Sequence, residues 1–254
     1  MMAKKESPLT KIGEQIRTRW PWADSGHGPL PPLLVILTVV TGVVDAVSYV
    51  ALGHVFVANM TGNIVFLGFA LAGASGLSAP ASLAALGAFL LGALTGGRIG
   101  VRCGAHRGRH LRTATATGIP IVLLAVALAA IIGQPVSAGA RYALIVPLAF
   151  AMGIQNATAR RLAVPDLPTT VLTLTLTGIA ADSRLAGRAG GHTARRLISV
   201  TAMFTGALVG ALLVLNVDLV LPLALAALLM STAALLAHRF SGARADWTRP
   251  SAGK

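Results

Sequence analysis

Long apolar runs alternate with short basic connections over almost the whole chain. Eight stretches carry no charge or almost none: 33–53, 55–74, 80–97, 113–140, 142–159, 167–181, 197–217 and 219–237. A helix that crosses a bilayer needs about 20 such residues, with a lower limit near 17. Six of the eight meet that length without difficulty. Two are odd: 167–181 has fifteen residues, five of them threonine, and 55–74 is crowded at one end by Asn59, Thr61, Gly62 and Asn63. A membrane β-barrel would alternate apolar and polar residues at every second position. These runs are continuous, so the pattern predicts an all-α polytopic membrane protein of six to eight apolar helical segments.

Composition removes the other classes. Hydrophobic residues make up 55% and charged residues 11%, against about 25% charged in soluble domains. That excludes a disordered chain, which needs low hydrophobicity, and leaves too few charges to cover a soluble surface. The chain reads as a polar, basic tail (1–32), one membrane domain (33–238) and a second basic tail (239–254). In the first tail, Leu9, Ile12, Ile16 and Trp20 would line one face of a short helix lying on the membrane, with Ser7-Pro8 as its start; the alternative is a disordered tail that is simply basic. A polar tail before the first apolar run is not a cleavable leader. The single cysteine, Cys103, excludes an internal disulfide and a multi-thiolate metal site.

The net charge of +13 sharpens the topology. Arg98, Arg102, Arg107, Arg109 and Arg112 crowd one connection, Arg160 and Arg161 end the fifth run, and Arg184, Arg188, Arg195 and Arg196 precede the seventh. Basic loops stay in the cytoplasm. Eight crossings would put several of these clusters outside. Six crossings, with 55–74 and 167–181 entering and leaving on one side, put every cluster and both termini inside. The basic residues therefore predict anionic lipid headgroups as partners rather than nucleic acid.

Three short matches also recur in order. Gly42-Val-Val-Asp45 answers to Gly153-Ile-Gln-Asn156, Thr61-Gly62-Asn63 to Thr173-Leu174-Thr175, and Gly92-Ala-Leu-Thr-Gly96 to Gly206-Ala-Leu-Val-Gly210, at offsets of 111, 112 and 114. Two repeat-related halves, about 33–140 and 141–238, follow. Three crossings and one re-entrant segment per half would make the halves inverted, a recurring transporter design; eight crossings would make them parallel.

Candidate chemistry is sparse. Asp45 sits in an otherwise uncharged span, where a carboxylate costs about 2.5–3.5 kcal/mol unless paired, protonated or wetted. Asn59, Thr61, Gly62 and Asn63 can satisfy backbone freed by a helix break. With Gln155, Asn156, Thr170 and Thr173 they form a candidate substrate-binding set. The competing reading is that Asp45 bonds a neighbouring helix and the polar cluster is a helix end. Gly92, Gly96, Gly206 and Gly210 read as helix-packing positions. His54, His106, His110 and His192 lie in connections without acidic or cysteine neighbours, so no metal site or cofactor is expected. No nucleophile–base pairing or phosphate loop is present, and an enzyme is not expected.

Thr41-Gly42-Val-Val-Asp45-Ala-Val-Ser-Tyr49, continuing through Val55-Phe-Val-Ala-Asn59-Met-Thr-Gly-Asn63, resembles the first signature of the YoaK family. Ala151-Met-Gly-Ile-Gln155-Asn156-Ala157, followed by Thr169-Thr170-Val-Leu-Thr173, resembles its second. The resemblance covers roughly 33–238. One departure is visible: Thr173 is followed by Leu174, and a Thr-Gly pair appears later as Thr177-Gly178. The resemblance implies a bacterial inner-membrane protein and supplies no substrate. The resulting expectation is a small-solute or ion transporter or channel working around Asp45, with a homo-oligomer compatible. The alternative is a membrane scaffold or accessory protein whose polar residues only pack helices.

Overall fold

The computed structural model describes residues 27–165, 167, 169, 172–183, 186–187, 193–241 and 246–248. The tail helix, Thr170 and His192 therefore lie outside the described residues. Among the described residues, eight α-helices follow in order: α1 Leu30–Ala51, α2 Met60–Leu71, α3 Ala79–Arg102, α4 Arg107–Ile132, α5 Ala140–Leu162, α6 Leu172–Ala181, α7 Thr193–Asn216 and α8 Val220–Phe240. There is no strand among the described residues. Six helices are long and apolar enough to cross a membrane. The twelve residues of α2 and ten of α6 would reach about 18 and 15 Å, against about 30 Å of hydrocarbon.

Local chemistry sets the helix ends. Pro31 and Pro32 open α1, where their missing N–H groups are not needed. The Ser78 hydroxyl caps α3 by accepting from the Ala81 amide at 3.3 Å, and His106 Nδ1 caps α4 by accepting from the Arg109 amide at 3.0 Å. Asp218 accepts from the Leu221 amide at the start of α8. Two boundaries depart from the apolar runs. The fourth run starts at 113, but α4 begins at Arg107 because His106 supplies the cap. The run continues to 140, but α4 stops at Ile132, where Gly133 takes a positive φ of 66°.

The loops sort onto two faces. On the first, Arg107 meets His27 and the Leu162 carbonyl. Arg112 meets His238, and Trp247, in a short 3₁₀ turn, packs on Gly28 and Gly108. On the opposite face, Arg141 reaches Gly53 and bonds the Ser78 hydroxyl. The six long helices run between these faces. The segment from Leu52 to Ser78 leaves the second face and returns to it, and the segment carrying α6 leaves and returns to the first. The Arg98–Arg112 connection, Arg160, Arg161, Arg195 and Arg239 thus share one face, which reproduces the grouping expected from the charges.

The tightest crossings come in matched pairs. A Cβ on Gly206 of α7 would stand 2.2 Å from the Val39 carbonyl oxygen of α1, and one on Gly92 of α3 would stand 2.0 Å from the Phe150 oxygen of α5. Gly210 meets the Val43 oxygen at 2.8 Å, and Gly96 meets the Ile154 oxygen at 2.8 Å. In return, Gly42 approaches Met203, and Gly153 approaches Phe89. Positions 39 and 150, and 43 and 154, are 111 apart, while 206 and 92, and 203 and 89, are 114 apart. Helix α1 thus packs on α7 as α5 packs on α3, with α1 and α5 running in opposite directions. The side-chain-free surface of glycine is what lets these backbones touch. Around this frame, large apolar side chains such as Leu71, Ile131, Leu90 and Phe204 face outward, as a lipid solvent requires.

Candidate functional site

Asp45 is buried and held by the loop that follows its helix. It lies on α1 about 9 Å below the helix end and is 3% exposed. Its Oδ1 accepts from the Val57 amide at 2.9 Å and the Ala58 amide at 2.8 Å, and its Oδ2 accepts from the Asn59 side-chain amide. Asn63, fully buried, clamps the same loop one residue earlier: its Oδ1 accepts from the Phe56 amide at 2.8 Å and its Nδ2 donates to the Phe56 carbonyl at 2.6 Å. Backbone that re-enters at membrane depth must satisfy its N–H groups internally, and Asp45 with Asn63 does so for residues 56–58. Gly62 has a steric task. A Cβ there would stand 2.6 Å from the Phe56 ring, which forms a three-ring cluster with Tyr49 at 5.2 Å and Phe66 at 5.6 Å. Thr61 is exposed on α2. The chain's own loop thus supplies donors to both carboxylate oxygens of Asp45.

The stretch of the second half that corresponds to residues 57–59, about 168–171, lies largely outside the described residues. Asn156, the counterpart of Asp45, is half-buried and donates to the Met152 carbonyl of its own helix at 2.9 Å. Thr173, the counterpart of Thr61, is exposed like it, while Thr175, the counterpart of Asn63, is buried.

Gln155 is one of several described residues, Ser199 and Thr169 among them, with a buried side-chain polar atom that has no hydrogen-bond partner. It is 4% exposed and reaches from α5 to α1, where Nε2 donates to the Leu37 carbonyl at 3.1 Å and the Thr41 hydroxyl at 2.9 Å. The Leu37 oxygen only accepts, so it fixes which end of the amide faces α1. That leaves Oε1 buried with no partner. A buried acceptor without a donor costs about 1–3 kcal/mol and calls for an explanation. Beside it lies a cavity of about 10 Å³, lined by Thr115, Thr158, Leu37, Leu111 and Met230. Those residues come from α1, α4, α5 and α8, the four helices that meet at the centre. Its size is close to the minimum for one water.

From this cavity, buried polar groups lead toward the arginine-rich face. The Thr158 hydroxyl lies 3.5 Å from His110 Nε2, and His110 is 3% exposed. His110 in turn lines a vestibule of about 520 Å³ together with His27, Arg107 and Arg161. Burial, then Arg107 and Arg195, hold the His27 imidazole below its usual pKa. The opposite face has a vestibule of about 510 Å³, but Val50, Ala51, Val136, Val214 and Leu215 line most of it.

Sequence reasoning included Gln155 and missed its companions. Gln155, Thr158 and Arg161 recur every three residues, so they share one stripe of α5, and that spacing was a readable signal. His110 was not legible, because its approach to Thr158 depends on how α4 packs against α5. Among the described residues, no cluster of three metal-ligating side chains is present.

Six crossing helices, an outward apolar surface and loops sorted onto two faces define a polytopic helical membrane protein. Residues 33–236 match the family described as "Protein of unknown function (DUF1275)"; the chain belongs to that family. The chain is also 31% identical over 150 residues to the UPF0700 transmembrane protein YoaK of Bacillus subtilis (strain 168). That alignment covers 59% of this chain and 65% of the length of YoaK. No solved structure matches.

Proposed function

We propose that the protein is a small-solute or ion transporter or channel of the bacterial plasma membrane. Its solute passes the central polar residues Thr41, Thr115, Gln155 and Thr158 rather than Asp45. The observation that carries this reading is the unpartnered, buried Gln155 Oε1 beside a cavity shared by four helices. A helix-packing amide has no need of an unused acceptor, whereas a solute-binding one does. The matched, oppositely directed halves support it, because such halves can rock against each other about a central site. The arginine-rich face is cytoplasmic in this reading, with both termini on it and anionic headgroups around it. No chemical step is assigned, and the protein is read as a non-enzyme.

The test is untargeted metabolite profiling of cells lacking and overproducing the protein, repeated with Gln155→Leu. Leucine removes the amide at similar volume, so folded yield should hold while the wild-type metabolite difference disappears. A Gln155→Leu variant that reproduces the wild-type profile would refute this site. Sidedness is checked in a Cys103→Ala background, with cysteines placed at Ala105 and Gly76. Labelling of position 105 by an impermeant reagent in intact cells would overturn the orientation.

A second reading, a non-transporting scaffold, draws on the Asp45 cluster, whose polar groups are consumed in holding a loop. It expects Gln155→Leu to change neither metabolites nor fold.

A further inference from the structure

We propose that the vestibule on the arginine-rich face is a binding site for an oxyanion, a phosphate or carboxylate group, held by Arg107 and Arg161. Two guanidiniums, His27 and His110 converge on one concavity of about 520 Å³, large enough for a small anionic molecule or a headgroup. Among the described residues, no carboxylate pairs with Arg107 or Arg161; the ion pair described on this face joins Arg196 to Asp182. Arg107 is anchored, since it bonds His27 Nδ1 at 2.9 Å and the Leu162 carbonyl. Arg161 is positioned differently: its stem lies over Gly100, where an added Cβ would come within 2.5 Å of Cδ and 2.9 Å of Nε. The lack of a side chain at Gly100 therefore sets where this guanidinium sits, beside the His110 ring. The amino-terminal end of the 26-residue helix α4 opens at the same place, adding its positive end to the field. Planar guanidiniums suit oxyanions because they donate two parallel bonds.

The pseudo-equivalent vestibule shows that the cations are not a by-product of the frame. Val50 and Val214 stand there where Arg161 and Gly100 stand here, at the offsets of 111 and 114 that relate the glycine crossings. One pit is lined by two guanidiniums and its counterpart by none, although their volumes are nearly equal.

The site lies at the mouth of the polar track and deepens the transport reading, but binding can be measured without transport. The full chain, purified and delipidated in a non-ionic detergent, is titrated with sodium phosphate against sodium chloride of equal ionic strength, with thermal stability as the readout. A parallel arm titrates a short-chain phosphatidylglycerol against the matching phosphatidylcholine. Stabilisation specific to phosphate identifies a free anion, and stabilisation specific to phosphatidylglycerol identifies a lipid headgroup. In either arm, Arg161→Gln should weaken the apparent affinity about tenfold, and Gly100→Ala should do so while keeping the charge. Arg239→Gln, on the same face but outside the vestibule, should respond as wild type. The proposal fails if neither anion exceeds its control, or if Arg161→Gln and Gly100→Ala respond as wild type. Binding without any metabolite phenotype would sink the transport reading and leave this site standing.

Discussion

The two halves share a frame and differ in what they do with polar residues. Both crossings, α1 on α7 and α5 on α3, bring glycine against a helix backbone at matching distances. In the first half, the polar group below the glycine is Asp45, whose oxygens are filled by the loop before α2. In the second half, the polar group next to the equivalent position is Gln155, which keeps one oxygen unused at the centre of the molecule. Packing demands are symmetric because backbone contact tolerates no side chain on either side. The polar residues differ: donors from the following loop meet Asp45, while Gln155 Oε1 has none.

The largest effects should come from the shared frame. Gly92→Leu and Gly206→Leu place a branched side chain where a carbonyl oxygen lies 2.0 and 2.2 Å from the first added carbon. Overpacking of milder kinds already costs about 1–3 kcal/mol, so neither variant should yield folded protein after detergent extraction. Normal yield from one and loss from the other would break the equivalence of the crossings.

Asp45→Ala comes next. It strands the Val57 and Ala58 amides and the Asn59 side chain, at about 1–3 kcal/mol for each buried donor. The variant should lose several kcal/mol of stability, read as a marked drop in melting temperature. Asp45→Asn keeps one acceptor for the two amides, and Asn59 can rotate to meet the new NH₂ group. Its loss should be about 1 kcal/mol. If Asp45→Ala and Asp45→Asn were equally stable, the carboxylate would not be the anchor described here.

Gln155→Leu sharpens the contrast. It deletes an unsatisfied acceptor, so stability should change by less than about 1 kcal/mol and can rise. A loss as large as that of Asp45→Ala would make Gln155 a structural anchor and remove the difference between the halves.

The smallest effect concerns pH. The folded His27 resists protonation relative to its ordinary value of 6.5, so the unfolded chain binds more protons as pH falls below that value. Stability should therefore decline with falling pH in that range, and His27→Gln should flatten the decline modestly. Phosphate, if bound beside His27, should oppose it. A stability profile that His27→Gln leaves unchanged would show that His27 does not contribute.

The sequence by itself determined the class, a count of six to eight apolar helical segments and the grouping of the basic loops. Those follow from run length and from the placement of arginines, both of which are one-dimensional quantities. It also marked the glycines that meet and the two segments too short or too polar to cross. It could not tell that Asp45 anchors the loop after its own helix, because the donors sit twelve to fourteen residues away on backbone whose path depends on the turn after Ala51. Nor could it join Gln155 to Thr41, 114 positions apart, or His110 to Thr158, 48 apart. Whether a buried polar group is spent or available depends on which partners tertiary packing brings within about 3 Å, a distance that residue spacing alone does not encode.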